Sequence, residues 1–372
     1  MTTYNVLVTG GAGFIGSFIV DALVKEGHAV TILDNLTEQV HQGKKPDYLN
    51  PEATFVQGDV LNYDEFKKEI LKADVLFHEA SAVGVGQSMY KIKHYTDTNV
   101  MGTANLLHVL ANENHNLKKV VVAASMSSYG EGAYTCEDCG VAFPPLRSAE
   151  QMQKKEWKLQ CDCDKSLTPI PTKETKPLNP NSIYAISKAT QEQMVLTVGK
   201  AYGIPSVSLR YFNAYGPRQS LSNPYTGVAA IFMSRIKNNH QPVVYEDGMQ
   251  TRDFVSVHDV AHANLLAMHS SAANYEMMNI GSGMPTTIKG VAEILAKIHN
   301  SNVLPQITET SRKGDVRHCF ADMTKAKKLL DFETTVSFED GMRELAQWSE
   351  KTEAVDKVDK ATSELKSKGL GK

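Results

Sequence analysis

Residues 6–34 read VLVTGGAGFIGSFIVDALVKEGHAVTILD, and this stretch decides the fold. Residues 4–8 form a short apolar run suited to a buried strand, residues 14–25 carry apolar side chains at helical spacing, and residues 29–33 form a second apolar run. Between the first run and the helix lies Gly10-Gly11-Ala12-Gly13-Phe14-Ile15-Gly16. Gly11, Gly13 and Gly16 make G-x-G-x-x-G; Gly10, Gly13 and Gly16 make G-x-x-G-x-x-G. Glycines at these points allow a tight turn, close approach of a pyrophosphate to backbone N–H groups and close helix-to-strand packing, while the helix N-terminus adds positive potential. Asp34 ends the second run and is followed by Asn35. A carboxylate about 20 residues beyond the glycines accepts both hydroxyls of a ribose and favours NAD over NADP.

Outward from this unit, apolar runs recur at 54–56, 75–77 and 120–124, separated by helical stretches that include 95–114 and one beginning near 181. Strands joined by helices imply an α/β fold with a doubly wound parallel sheet of the Rossmann type. Asp59 and Val60, just past the third run, are candidates to hold an adenine, with Asp59 accepting from its amino group; an ordinary turn is the alternative. The parallel pattern ends near residue 210. From 211 to 322 Pro and Gly are frequent and apolar runs are short (242–245, 254–257, 277–280). The expected organisation is a dinucleotide domain over 1–210 with a returning segment at about 255–275, and a smaller mixed α/β substrate lobe over 211–254 and 276–348. A ligand cleft is expected between them. Two segments depart from the plan. Residues 131–178 hold four cysteines, several prolines and a charged middle, and read as an insertion without a strand; residues 349–372 read as a charged tail, a solvated helix or a disordered end.

Composition limits the partners. The 372 residues carry Lys+Arg 39 against Asp+Glu 42, a formal net charge of -3, which points to neither nucleic acid nor a membrane surface. No run approaches the ~18 apolar residues of a spanning helix, and no leader pattern opens the chain, so a soluble cytoplasmic protein is expected. Five cysteines are too few for a disulfide-built fold of this length.

Tyr184 and Lys188 stand four residues apart at the start of a helix, so both side chains leave one face. Ser125 ends the 120–124 run at the carboxyl edge of the inferred sheet, where open α/β folds bind ligands. Three residues then divide one task. Tyr184 as phenolate takes a hydroxyl proton, Lys188 lowers the tyrosine pKa and binds the nicotinamide ribose, and Ser125 hydrogen-bonds the reacting oxygen. A phenol at its ordinary pKa of ~10 is a poor base at neutral pH, hence the need for a cation.

Together these residues resemble the extended short-chain dehydrogenase/reductase family, in its sugar-nucleotide epimerase and dehydratase branch. Other motifs agree: His78-Glu79-Ala80, Asn99 within Asn-Val-Met-Gly-Thr-Ala-Asn, the run 125–130, the run 210–219 ending in Arg218-Gln219, Thr251-Arg252-Asp253-Phe254-Val255, and Gly314-Asp315-Val316-Arg317. The resemblance implies NAD contacts from Ala80 and Asn99 as well as the glycine loop. It implies a nucleotide-diphosphate sugar as substrate, with Asn213 on the sugar or diphosphate, Arg252 and Arg312 on the diphosphate, Asp315 on the nucleotide ribose, Tyr245 near the base and Ser127 in the substrate site. A homodimer through a four-helix contact is also implied. In the branch's 4,6-dehydratases the catalytic hydroxyl is followed by Asp-Glu, and in its uronate decarboxylases a glutamate sits in that turn; here the turn reads Met126-Ser127-Ser128. Oxidation and re-reduction at one carbon, a 4-epimerisation, remains. The segments 82–90 and 124–132 look like those of epimerases that act on dTDP-L-rhamnose; UDP-hexose or UDP-uronate epimerases, or a net dehydrogenase/reductase, are the alternatives.

Cys136-x-x-Cys139, then 21 residues, then Cys161-x-Cys163 has the two-plus-two arrangement of a structural Cys₄ zinc site. Four unbound thiols or a redox pair are the alternatives.

Overall fold

The computed structural model describes residues 2–370. Its centre is a seven-stranded sheet. In chain order the strands are β1 (Asn5–Thr9), β2 (Ala29–Asp34), β3 (Thr54–Gln57), β4 (Val75–His78), β5 (Lys119–Ser125), β6 (Ser206–Tyr211) and β7 (Met277–Ile280). Their spatial order is β7-β6-β5-β4-β1-β2-β3, every pairing parallel. All seven residues of β5 are buried, the pattern of a strand covered on both faces. One face packs on the helices Phe14–Lys25 and Val257–His269 through Ile19, Leu23, Val260 and Ala263. The other packs on Tyr63–Ile70, Gly102–Asn112 and Ile183–Tyr202 through Phe66, Ile70, Leu106, Leu110 and Val195. The strand order reverses between β1 and β4, which opens a crevice at the carboxyl ends there. This is the expected doubly wound α/β architecture.

A second body packs three helices, Val228–Lys237, Ile288–Ile298 and Phe338–Glu350, around Phe232, Met233, Val291, Leu295, Met342 and Leu345. A small mixed sheet of Asn213–Tyr215, Thr251–Ser256, Pro285–Thr287 and His318–Cys319 joins it to the first. Among the described residues no helix is long and apolar enough to cross a membrane.

Four local expectations need correction. Met277–Ile280, expected in the substrate lobe, is the edge strand of the main sheet and pairs with Ser208–Tyr211; a partner some seventy residues away leaves no local trace. The 131–178 insertion does contain strands: Ala133–Cys136, Gly140–Ala142 and Thr168–Ile170 form an antiparallel sheet. They are too short for alternation to stand out. The tail is an ordered helix, Val358–Ser367, that docks through buried Ala361 and through Glu364, which accepts a 2.8 Å bond from Tyr225. Its two or three apolar residues were hidden among charges. The helix expected over 95–114 is interrupted by a wider, π-helical stretch at Thr96–Met101.

The Ile183–Tyr202 helix is fixed to the sheet by a buried ion pair. Arg210 on β6 donates to Glu192 through Nε (2.8 Å) and Nη2 (2.5 Å), and both side chains are 3% exposed. Ser208 donates to the same carboxylate. Arg210→Met would strand that carboxylate in the interior, so a loss of about 3–5 kcal/mol is expected. Urea unfolding checks it; an unchanged midpoint would mean that the pair does not hold the helix.

Candidate active site

A cleft of about 1010 Å³ runs over the carboxyl edge of the sheet, between it and the second body. At its floor Gly10 adopts a φ of +69°, and a Cβ there would stand 2.7 Å from the Ala80 nitrogen. A Cβ on Gly16 would stand 2.3 Å from the Gly10 oxygen, so only glycine lets the Phe14–Lys25 helix approach β1 this closely. At Gly13 a Cβ would meet only the Gly10 oxygen, at a tight 3.2 Å. No side chain caps the helix that Gly13 begins, so its first N–H groups remain available. Gly10, Gly13, Phe14, Ile15 and Gly16 line the cleft, which fits a pyrophosphate. Gly11 does not line it; its Cα turns toward Ile32 behind the loop.

Asp34 is held by the backbone N–H groups of Ala12 (3.1 Å) and Leu36 (2.9 Å) and faces the cleft from the end of β2. Asn35 donates to Asp59 at 2.8 Å, and Asp59 also accepts from the Leu61 nitrogen. Asp59 thus shapes a turn and lines the cleft beside Val60. Ala80 lines it too. Asn99 does not. It is fully buried, accepts from the Ala82 nitrogen (2.7 Å) and Ser81, and donates to the Ala82 oxygen and Ser187 (2.9 Å). With its amide committed on both sides, it joins the loop after β4 to the Ile183–Tyr202 helix.

Ser125 ends β5 and caps the tight turn Met126–Tyr129; Ser127 donates to its hydroxyl through both backbone nitrogen (3.2 Å) and Oγ (2.9 Å). Ser182 caps the next helix by accepting from the Ala185 nitrogen, which places Tyr184 and Lys188 on the first two turns, facing the cleft. Burial raises the Tyr184 phenol above its ordinary range, and the hydrogen bond with Ser125 opposes that rise. Burial pushes Lys188 down to about 8, against the pull of Glu79, and pushes Glu79 up to about 7. Tyr211 donates to Glu79 at 3.0 Å. Glu79 is thus an ionisable neighbour of the triad that sequence reasoning quoted within His78-Glu79-Ala80 without giving it a task. Tyr95, packed edge-on against Tyr184 with centroids 6.4 Å apart, was likewise passed over.

The opposite wall carries Asn213, Tyr245, Arg252, Arg312 and Asp315, and Ser127 faces the cleft from the triad side. Arg312 lies over the Tyr245 ring at 4.5 Å and forms an ion pair with Asp315 at 2.9 Å. Arg252 donates to the carbonyls of Thr251 and Val316, both at 2.7 Å. The side-chain oxygens of Asn213, Gln219 and Gln250 are buried in this wall with no partner. Unpaired buried acceptors mark places where a ligand's donors belong. Gln219 closes the motif run 210–219, which was its signal; Gln250 had none. The tail helix completes the wall with Val358, Ala361, Thr362 and Leu365.

Comparison with known proteins agrees with this geometry. The model of the NAD dependent epimerase/dehydratase family matches residues 6–150, and that of GDP-mannose 4,6 dehydratase matches 166–345. A dTDP-L-rhamnose 4-epimerase of Burkholderia thailandensis is 32% identical over 92% of this chain and 94% of its own. The chain belongs to the NAD-dependent epimerase/dehydratase family. It is an NAD-dependent enzyme of the extended short-chain dehydrogenase/reductase type. Among solved structures, a UDP-glucose 4-epimerase of Thermotoga maritima with UDP-glucose is 32% identical, covers 93% of this chain and 99% of its own, and gives a TM-score of 0.76. A UDP-glucuronic acid 4-epimerase of Bacillus cereus with UDP-glucuronic acid and NAD is 27% identical, with coverages of 93% and 99% and a TM-score of 0.74.

Glu79 raises the Lys188 pKa, so its removal must lower it. In Glu79→Gln the alkaline limb of the kcat/KM profile, set by loss of the Lys188 ammonium near pH 8, should move to lower pH. A limb that stays in place would show that Glu79 does not govern this charge.

Proposed function

We propose that this enzyme inverts C4 of a nucleotide-activated sugar, interconverting dTDP-L-rhamnose and dTDP-6-deoxy-L-talose. The observation that carries the reading is the turn after Ser125. It presents Ser127 to a triad built for alcohol oxidation, turns Ser128 into the interior, and offers no carboxylic acid for elimination or decarboxylation. Removal and return of hydrogen at one carbon asks nothing more of such a site; a net dehydrogenase/reductase is the alternative.

Tyr184 takes the proton of the C4 hydroxyl while the C4 hydrogen departs as hydride, and Ser125 steadies the oxygen as it becomes a carbonyl. Lys188 holds the nicotinamide ribose and, once charged, favours the phenolate. NAD, when bound along the glycine loop, supplies the hydride acceptor and then the donor. The 4-keto sugar turns over in the cleft and is reduced on its other face, and Tyr184 returns the proton. Throughout, the nucleotide stays fixed. Arg252 and Arg312 neutralise its diphosphate, Asp315 accepts from its ribose, Tyr245 stacks on the base and Asn213 bonds the sugar or diphosphate; fixed guanidinium forks suit a buried diphosphate. Arg312 and Asp315 would have to loosen their mutual pair to do so.

The choice of dTDP-L-rhamnose rests on the relative from Burkholderia thailandensis and on the segments 82–90 and 124–132. UDP-hexoses and UDP-uronates are the second choice, supported by what the Thermotoga and Bacillus structures hold. We also propose a homodimer. The outer faces of Gly102–Asn112 and Ile183–Tyr202 form a shallow groove lined by Ala104, Leu107, Met194 and Val198, which a second copy would fill to make a four-helix contact.

Proton NMR of the purified enzyme with dTDP-L-rhamnose and no added cofactor tests the assignment. A second C4 epimer should appear, and Tyr184→Phe should slow its appearance by on the order of 10²–10⁴-fold. An unchanged spectrum would reject this substrate.

A further inference from the structure

The insertion cannot hold itself together by burial. Its own core is Tyr134, Cys136, Leu159 and Leu167 with Ala142 and Cys161 at the edge, too little apolar surface to order a segment of this length. What it has instead is a convergence of sulfur. Cys136 ends the strand Ala133–Cys136, and Cys139 follows across the turn that closes on Gly140. Cys161 and Cys163 come from a second tight turn, closed by the Cys161 N–H donating to the Lys165 oxygen at 2.8 Å and the Asp164 N–H to the Cys161 oxygen at 2.9 Å. Lys165 bridges the two turns through Asp138. Two knuckles more than twenty residues apart thus bring all four Sγ atoms within 4.8 Å of one another, with Cys136 and Cys163 at 3.5 Å. A tetrahedron with Zn–S arms of ~2.3 Å has edges of about 3.8 Å, which this cluster matches; a disulfide needs ~2.05 Å.

The same insertion reaches the cleft. Arg147, between the two knuckles in the chain, has a side chain only 1% exposed that donates to both oxygens of Glu246, at 2.8 and 2.9 Å, and to the Asp315 carbonyl at 3.2 Å. Arg317 shares Glu246 and pairs with Asp247. Glu246 follows Tyr245, and Asp315 pairs with Arg312. The insertion therefore backs the wall made by Tyr245, Arg312 and Asp315.

We propose that Cys136, Cys139, Cys161 and Cys163 bind a structural zinc ion that orders the insertion and, through Arg147, braces this wall. Four thiolates fill a tetrahedral shell, so the metal has no open position and takes no part in the chemistry. The effect on the wall rests on the proposed nucleotide-sugar function; the metal itself does not.

Full-length enzyme purified without chelator should contain one zinc per chain, released to a colorimetric chelator in step with titration of the thiols by a mercurial. Cobalt exchange should give the absorption of a tetrahedral tetrathiolate. Cys139→Ser should lower zinc affinity by on the order of a hundredfold, and, by loosening the backbone around the surface lysines at 154, 155, 158 and 165, speed tryptic cleavage there. It should raise KM for the nucleotide sugar several-fold with kcat little changed, and Arg147→Met should raise KM alike while keeping its zinc. Metal-free protein with four free thiols or two disulfides, or protein containing iron, would overturn the zinc site. Zinc loss with KM unchanged would overturn the bracing. Failure of every sugar nucleotide tested would overturn the enzymatic reading and leave the metal readouts standing.

Discussion

The buried Glu192–Arg210 pair sets the geometry on which catalysis depends. Two charges taken from water are stabilising only when their remaining hydrogen bonds are met, and here they are. Glu192 also accepts from Ser208, while Arg210 donates to the Tyr129 hydroxyl (2.8 Å) and lies over its ring. Tyr129 in turn donates to Asn279 at 2.7 Å. One connected network therefore joins the Ile183–Tyr202 helix, β6, β7 and the turn after Ser125. Because Ser125, Tyr184 and Lys188 sit on parts that this network locks together, their spacing is fixed by the interior and not by the surface of the cleft. A cluster held this way needs little reorganisation when substrate arrives, which is where much of an enzyme's advantage lies.

Much of this was legible in the sequence. The Rossmann unit reads directly because its strands are short apolar runs, its helices keep a 3.6-residue period and its glycines have steric reasons visible at Gly10 and Gly16. Tyr184, Lys188 and Ser125 were placed by position on elements alone. What stayed hidden depends on pairing at long range. Met277–Ile280 joins the sheet because β6 offers an open edge, which no local pattern announces. Asn99 stands in a motif that the resemblance tied to NAD, and what the sequence hid is that its side chain bonds Ser81, Ala82 and Ser187, joining that loop to the helix. Glu79 was silent because its importance is electrostatic and needs the nearness of Lys188. A helix was one of the two readings of the tail; its docking was missed because average polarity conceals a stripe as narrow as Ala361 and Leu365.

The two ends of the cleft differ in lining, and the difference suits inversion better than net oxidation. At the end proposed for the nucleotide, Arg147, Glu246, Arg317, Asp247, Arg312 and Asp315 form successive ion pairs beside Tyr245. By the triad, the loop 81–86 is made of small residues, and Asn99 anchors only its beginning. Gly84 has a φ of +141°, a conformation few other residues adopt, and a Cβ there would press on Tyr95 and Tyr225. Val83 and Val85 are exposed, and the Leu365 side chain of the tail helix closes over Gly86. A sugar that must present first one face and then the other of C4 needs room and few directional bonds where it turns. Its nucleotide must be gripped so that the turning group does not escape. A dehydrogenase that releases its product after one oxidation gains nothing from that asymmetry, since its sugar needs a single pose. Gripping one end while leaving the other smooth suits a reaction that visits the same carbon twice.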